Sequence, residues 1–164
     1  MEAQEERTRE LVRRMSSLCE WLTPAGIGFV HAFSHRRLAC RFGGTWAAER
    51  FFAAGTMPSH ELLTRFDGEL FVADRWALSG EDYARTLRSW LRRLDERAAE
   101  ALAILRRGRS ERDARTLLGT WRLFLLSTAE MWGWRGGDEW MLSRYLLERE
   151  RRGGSGKKPL VRAT

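Results

Sequence analysis

His31, Tyr83 and Glu130 are the side chains here best suited to moving a proton or holding a charge, and each stands in a different segment. His31 lies in the compact apolar run Ile27–Phe33. Histidine gives and takes a proton near neutral pH, so one near the end of a strand can share a proton or hold an anion. The competing reading is a buried imidazole satisfied by a backbone carbonyl. The Tyr83 hydroxyl can hydrogen-bond an anion or a substrate, or its ring can simply pack on a helix surface. Glu130 is either the buried ionic partner of an arginine such as Arg122 or a ligand for a substrate amine. A lone buried carboxylate is costly, which favours the ion pair. Among the 8 tryptophans, Trp132, Trp134 and Trp140 could line a pocket or cradle a cation. Their alternative is core packing, the commoner use of aromatic side chains.

The remaining candidates point to less. His35 follows His31 by four residues, but a strand exit does not place those positions on one face, and no acidic third ligand is near. A metal pair is therefore not expected. His60, in the first turn of an expected helix, reads as a surface residue. Cys19 and Cys40 lack C-x-x-C spacing and imply neither a disulfide framework nor a zinc site.

The elements that must position these residues follow from periodicity. Leu11, Val12, Met15, Leu18, Cys19 and Leu22 repeat as one face of a helix over Glu5–Leu22, which Pro24-Ala25-Gly26 stops. Ile27–Phe33 then reads as a buried strand. Short helices are expected over Thr45–Ala54 and from Pro58-Ser59 to about Phe66, with a turn at Asp67-Gly68. A second strand covers Glu69–Leu78. Two long helices, Gly80–Arg107 and Glu111–Trp132, precede the breakers Gly133, Gly136 and Gly137, and a third strand covers Trp140–Glu148.

The bulk composition narrows the class. At 164 residues, 43% hydrophobic and 31% charged, the chain can bury a core of its own. No apolar run approaches the roughly 20 residues that cross a bilayer, and Met1–Glu10 is too charged for a secretory signal, so a cytoplasmic protein is expected. The net charge of +7 is concentrated beyond Leu147, where Arg149, Arg151, Arg152, Lys157, Lys158 and Arg162 face Glu148 and Glu150. That tail, 149–164, reads as a flexible, solvated basic end able to touch a membrane surface weakly. The nearly balanced body carries no motif that would make nucleic acid the partner. Gly153-Gly154-Ser155-Gly156-Lys157-Lys158 lacks the spacing and the Ser/Thr of a phosphate loop.

Several stretches together resemble one enzyme family. They are Phe29-Val30-His31, Gly55-Thr56-Met57-Pro58-Ser59, Asp74-Arg75-Trp76, Ser79-Gly80 with Tyr83-Ala84-Arg85-Thr86, Trp121-Arg122, Ala129-Glu130, and Glu139-Trp140 with Ser143 and Tyr145-Leu146. In order and type they are similar to the C-terminal half of class I S-adenosylmethionine (SAM) methyltransferases. The branch is that of the cyclopropane-fatty-acyl-phospholipid synthases and the coclaurine N-methyltransferase-like enzymes, with the latter closer. The resemblance implies an α/β fold: three strands of a Rossmann-like sheet, with a long helical insertion before the last strand. It implies a partial methyltransferase domain over 1–148, with a helical lid at about 80–132.

It also implies methyl transfer from SAM to an acceptor lipid or a small amine. By that resemblance His31 and Tyr83 are the catalytic candidates. In the cyclopropane-forming members the matching positions surround a bicarbonate that takes the released proton. Phe33 matches an apolar wall position, and Phe33, Glu130 and Trp134 are the candidates for binding substrate or anion. The family's glycine-rich SAM turn and its Glu-His pair have no counterpart here; Glu6 and Arg7 stand near the latter. The chain on its own is therefore expected to lack the cofactor-binding half. Two readings remain open: the substrate-side half of an enzyme, or a non-catalytic interaction module. Either needs a partner, namely the N-terminal half or a second copy, because an open sheet edge invites pairing.

Overall fold

The computed structural model describes residues 17–42, 44, 46–51, 55–65 and 69–149. Within them lie α1 (helical residues 17–21), β1 (Ile27–His35), β2 (Cys40–Phe42), α2 (Trp46–Phe51), β3 (Gly55–Met57), a 3-10 turn (Leu62–Arg65), β4 (Leu70–Ser79), α3 (Gly80–Glu96), α4 (Ala98–Leu105), α5 (Glu111–Gly133), a second 3-10 turn (Trp134–Gly136) and β5 (Trp140–Arg149). They form two compact units. A sheet unit draws on Met1–Ala39, Pro58–Ala77 and Leu142–Thr164, and a helical unit on Cys40–Met57 and Leu78–Met141.

In the sheet unit the antiparallel order is β1-β5-β4, so the last strand in sequence is the middle strand in space. Alternate residues of β5 point to a packed face, where Ser143, Tyr145 and Leu147 are fully buried. Tyr145 and Leu147 join Cys19, Leu63 and Leu70, flanked by Leu18, Leu22, Val30 and Val72. Burying a leucine side chain contributes about 1.5–3 kcal/mol, so this cluster holds the unit together. Arg149 closes one end, donating to the Leu22 carbonyl at 3.1 Å and to Glu69 at 2.9 Å.

The helical unit is built on α3 against α5. Ala84 and Leu87 of α3, and Ala114, Leu125, Thr128, Ala129 and Trp132 of α5, form its buried stripes. Ser79 caps α3 by accepting from Glu81 N, and Ser110 caps α5 by accepting from Asp113 N at 3.1 Å. Arg122 grips Asp95 with two hydrogen bonds, 2.6 and 3.1 Å, tying α5 to α3. The turn after α5 docks on the first turn of α3 through Gly80 N donating to Gly137 O at 2.9 Å. Gly137 has φ 77°, and a Cβ there would lie 2.2 Å from Glu81 N, so only glycine fits.

The strands and α5 match expectation to within a few residues, and the differences elsewhere have local causes. The run Ile27–Phe33 is not buried on both sides: β1 alternates, leaving Ile27 64% and Phe29 61% exposed. One face of β1 meets the core and the other meets solvent, so an apolar run here reports composition and not double burial. The expected helix from Pro58 is instead an isolated parallel bridge between His35 and Ser59, followed by the 3-10 turn. Backbone bonds from His35 N to Pro58 O, 3.0 Å, and from His60 N to His35 O, 2.9 Å, hold those residues extended. The expected helix Gly80–Arg107 breaks at Arg97, φ −111° and ψ 28°, with neither glycine nor proline to announce it. The antiparallel pair β2–β3 is too short to show a period, and of the expected helix Thr45–Ala54 the described residues are α2. The start of the Glu5–Leu22 helix, the Asp67-Gly68 turn and the tail beyond Arg149 lie outside the described residues.

Candidate functional site

On β1 the residues Ile27, Phe29, His31 and Phe33 alternate as an exposed row. The opposite face is fixed by two cross-strand contacts. A Cβ on Gly28 would lie 3.3 Å from Leu147 Cβ, and the Ser34 hydroxyl bonds the Ser143 hydroxyl. His31 is three residues from Gly28 and from Ser34, and Arg144 is three from Leu147 and next to Ser143. Both therefore point to the other side of the sheet, on neighbouring strands. Arg144 is half-buried, and no acceptor among the described residues reaches its Nε. A buried N–H without an acceptor is costly unless an anion meets it, so the Arg144 Nε is the chemically distinctive feature beside His31. Sequence reasoning missed Arg144, because arginine is common here and burial leaves no sequence signal.

The packed side of the same strands carries a hydrogen-bonded chain. His60 Nδ1 lies 2.7 Å from Ser143 Oγ, which bonds Ser34 Oγ, and Tyr145 donates to His60 O at 2.9 Å. Ser34, Ser143 and Tyr145 are fully buried. Burial holds His60 below the ordinary histidine pKa, with Arg75 and Arg36 adding to the effect and Glu61 opposing it. His60 is therefore a half-buried structural ligand, not the surface residue its place in a short helix implied. His35 is buried too, and its Nδ1 accepts from Arg37 N at 3.1 Å and Leu38 N at 2.9 Å, which closes the turn after β1. Among the described residues no group of three His, Cys, Asp or Glu is placed to hold a metal ion.

In the helical unit Tyr83 stands half-buried, edge-on to Trp132 at 5.0 Å and to Trp90 at 6.3 Å. Burial pushes its hydroxyl pKa up, so the group is a neutral donor. Glu130 is exposed and pairs with Arg88 at 3.6 Å, while Arg88 also bonds Glu81 at 3.1 Å. The ionic partner anticipated for Glu130, Arg122, belongs to Asp95 instead, because the helix turn sends Arg122 toward α3. Trp134 is 63% exposed just beyond α5, whereas Trp132 is core.

Sequence reasoning also missed an aromatic cluster. Phe51 of α2 stacks on Phe124 at 4.1 Å and meets Trp121 edge-on at 4.8 Å, with Trp46 at 5.8 Å on its other side. Trp46 and Trp121 are each about two-fifths exposed, so the cluster is open to solvent as well as packing α2 on α5.

No protein-family model matches the chain. It is similar to (S)-coclaurine N-methyltransferase of Papaver somniferum, 32% identical over 143 residues that cover 83% of this chain and 41% of that protein. It is similar to the (S)-coclaurine N-methyltransferase of Thalictrum flavum subsp. glaucum as well, 33% identical over 80% of this chain and 38% of that protein. Pavine N-methyltransferase from the latter plant is 28% identical over 83% of this chain. Among solved structures, the crystal structure of coclaurine N-methyltransferase bound to N-methylheliamine and SAH superposes with a TM-score of 0.75 and 31% identity. That superposition covers 80% of this chain and 41% of that one. The chain thus spans about two-fifths of the length of the relatives it matches. In sequence and in fold the chain matches the C-terminal half of the coclaurine N-methyltransferase-like SAM methyltransferases.

Proposed function

We propose that the chain is the acceptor-side half of a SAM-dependent N-methyltransferase whose acceptor is a small amine. The observation that carries this reading is the 31–33% identity, joined to a TM-score of 0.75, with enzymes that methylate nitrogen. The aromatic faces of Trp46 and Trp121 support an amine over an acyl chain, since a protonated amine is drawn to such faces by about 0.5–1 kcal/mol at an exposed site. The helical unit, with α3, α4 and α5, is the part that the resemblance assigns to a water-excluding lid.

SAM supplies an electrophilic methyl group wherever it is bound. The described residues do not fit it: β1 runs into Arg36 and β4 passes directly into α3, so neither leads through a glycine-rich turn to a helix. Binding SAM falls to the other half of the enzyme, which is the partner this reading requires. The exposed row Ile27, Phe29 and Phe33 supports a covering partner of that kind. The contribution of this chain is alignment of the acceptor nitrogen, exclusion of water and acceptance of the proton that nitrogen loses as its new N–C bond forms. His31 takes that proton, directly or through a small oxyanion such as bicarbonate held by Arg144. The resemblance assigns hydrogen bonding to Tyr83 of the helical unit, and substrate or anion binding to Phe33 of the sheet unit and to Glu130 and Trp134 of the helical unit.

The test is complementation. The chain is mixed with the separately expressed N-terminal part of a coclaurine N-methyltransferase, and transfer of labelled methyl from SAM to heliamine is measured. Methylation by the mixture and by neither part alone is expected. Tight association of the two parts without any methylation would refute the enzymatic reading and favour the second one, a non-catalytic module that uses the same exposed row of β1 to bind a protein.

A further inference from the structure

The tip joining α4 to α5 combines two properties that water does not reward. α4 reads Ala-Ala-Glu-Ala-Leu-Ala-Ile-Leu, yet none of its residues is buried, and Ile104 is 60% exposed at its end. Its single charge, Glu100, is engaged by Arg97 at 3.5 Å. An apolar helix normally buries a stripe; this one buries no residue fully and turns Ile104 outward. Immediately after it come Arg106, Arg107 and Arg109, and Arg112 follows in the first turn of α5.

The carboxylates at the tip are already committed. Glu111 is held by Arg106 and, at 2.7 Å, by Arg115. Asp113 accepts the Ser110 hydroxyl at 2.7 Å and belongs to the cap of α5. Arg107, Arg109 and Arg112 are exposed and left to face solvent. Gly108, with φ 72° and open space around it, lets the turn carry this charge without screening by its own side chain.

We propose that the α4–α5 tip is a peripheral membrane-contact site, with Ile104 entering the headgroup boundary while Arg107, Arg109 and Arg112 meet anionic lipid. A bilayer surface is the occupant that uses both properties: it takes the apolar side chain and returns negative charge within reach of the guanidinium groups. Nucleic acid would engage the arginines but gains nothing from Ile104. The contact is superficial, since no helix among the described residues is long and apolar enough to cross a membrane. This proposal does not depend on the methyl-transfer reading.

The test is co-sedimentation of the full chain with phosphatidylcholine vesicles and with vesicles in which about one lipid in three is phosphatidylserine. Binding to the anionic vesicles alone is expected, weakening as salt rises. Replacing Arg107, Arg109 and Arg112 together by Gln should weaken it by about 100-fold, about fivefold for each charge, and Ile104→Asp by at least about fivefold. All four side chains are exposed, and circular dichroism checks that the variants fold. The proposal is overturned if the wild-type chain stays in the supernatant, or if the triple variant binds as well as wild type, which would move the contact to the basic residues beyond Glu148. Undiminished binding by Ile104→Asp, with double-stranded DNA displacing the vesicles, would also overturn it and leave only a general affinity for phosphate.

Discussion

The imidazole of His60 reaches across 83 positions of sequence to place Nδ1 2.7 Å from the hydroxyl of Ser143 on the central strand. Through Ser143 it is joined to Ser34 on β1, so one half-buried side chain ties the turn after Pro58 to two strands of the sheet. Because Ser34 lies three residues beyond His31 and Ser143 adjoins Arg144, this chain also sets where those two side chains sit along the opposite face.

Acid should weaken the sheet unit through His60. Burial and the nearby Arg75 and Arg36 place its folded pKa below the ordinary histidine value near 6.5. Between those two values the unfolded chain binds the extra proton, so the stability from neutral His60 is present above pH about 6.5 and fades as pH falls through the lower folded pKa. Denaturant unfolding followed from pH 8 to about pH 5 should show this loss. His60→Asn should remove most of the slope and cost about 1 kcal/mol at pH 8; an unchanged slope would exclude His60 as its source.

Tyr83 separates packing from chemistry. Tyr83→Phe keeps the edge-on contacts to Trp132 and Trp90, so it should unfold closer to wild type than Tyr83→Ala does. Tyr83→Ala should cost about 2–3 kcal/mol from the cavity against Trp132. In the complemented enzyme Tyr83→Phe should nevertheless lower turnover by about tenfold or more; wild-type turnover would remove Tyr83 from the site.

Substitution at His31 is expected to act on rate and not on cofactor affinity. His31→Ala in the complemented enzyme should reduce kcat by about 100-fold while leaving SAM affinity within about twofold, as measured by calorimetry and initial rates. His31 is exposed on β1, so the same variant should unfold within about 0.5 kcal/mol of wild type. A parallel loss of affinity and rate would indicate a role in holding the two halves together.

Gly137→Ala should destabilise the helical unit by about 2 kcal/mol or more. Its φ of 77° disfavours any side chain, and the added methyl would meet Glu81 N at the first turn of α3. Gly108→Ala makes the comparison: its φ of 72° is similar but the space is open, so only the conformational cost of about 1 kcal/mol should appear. Thermal melts of the two variants distinguish the collision from the dihedral.

Local pattern was enough to locate β1, β4, β5 and α5 and the start of α3, because a short apolar run between turns and a 3.6-residue repeat are properties of neighbouring residues. It also placed the glycine breaks around 133–137 and carried the family resemblance, which rests on types in order along the chain. Tertiary structure alone decided that the last strand lies in the middle of the sheet, since strand order is a choice among long-range pairings that share one alternation. It decided that Ile27 and Phe29 face solvent, that the half-buried His60 bonds Ser143, and that Arg122 meets Asp95 and not Glu130. The stacking of Phe51 on Phe124 and the isolation of the Arg144 Nε belong to the same class. Each depends on which residues far apart in sequence meet or fail to meet, which is settled only after the backbone has brought them together, so no local window contains it.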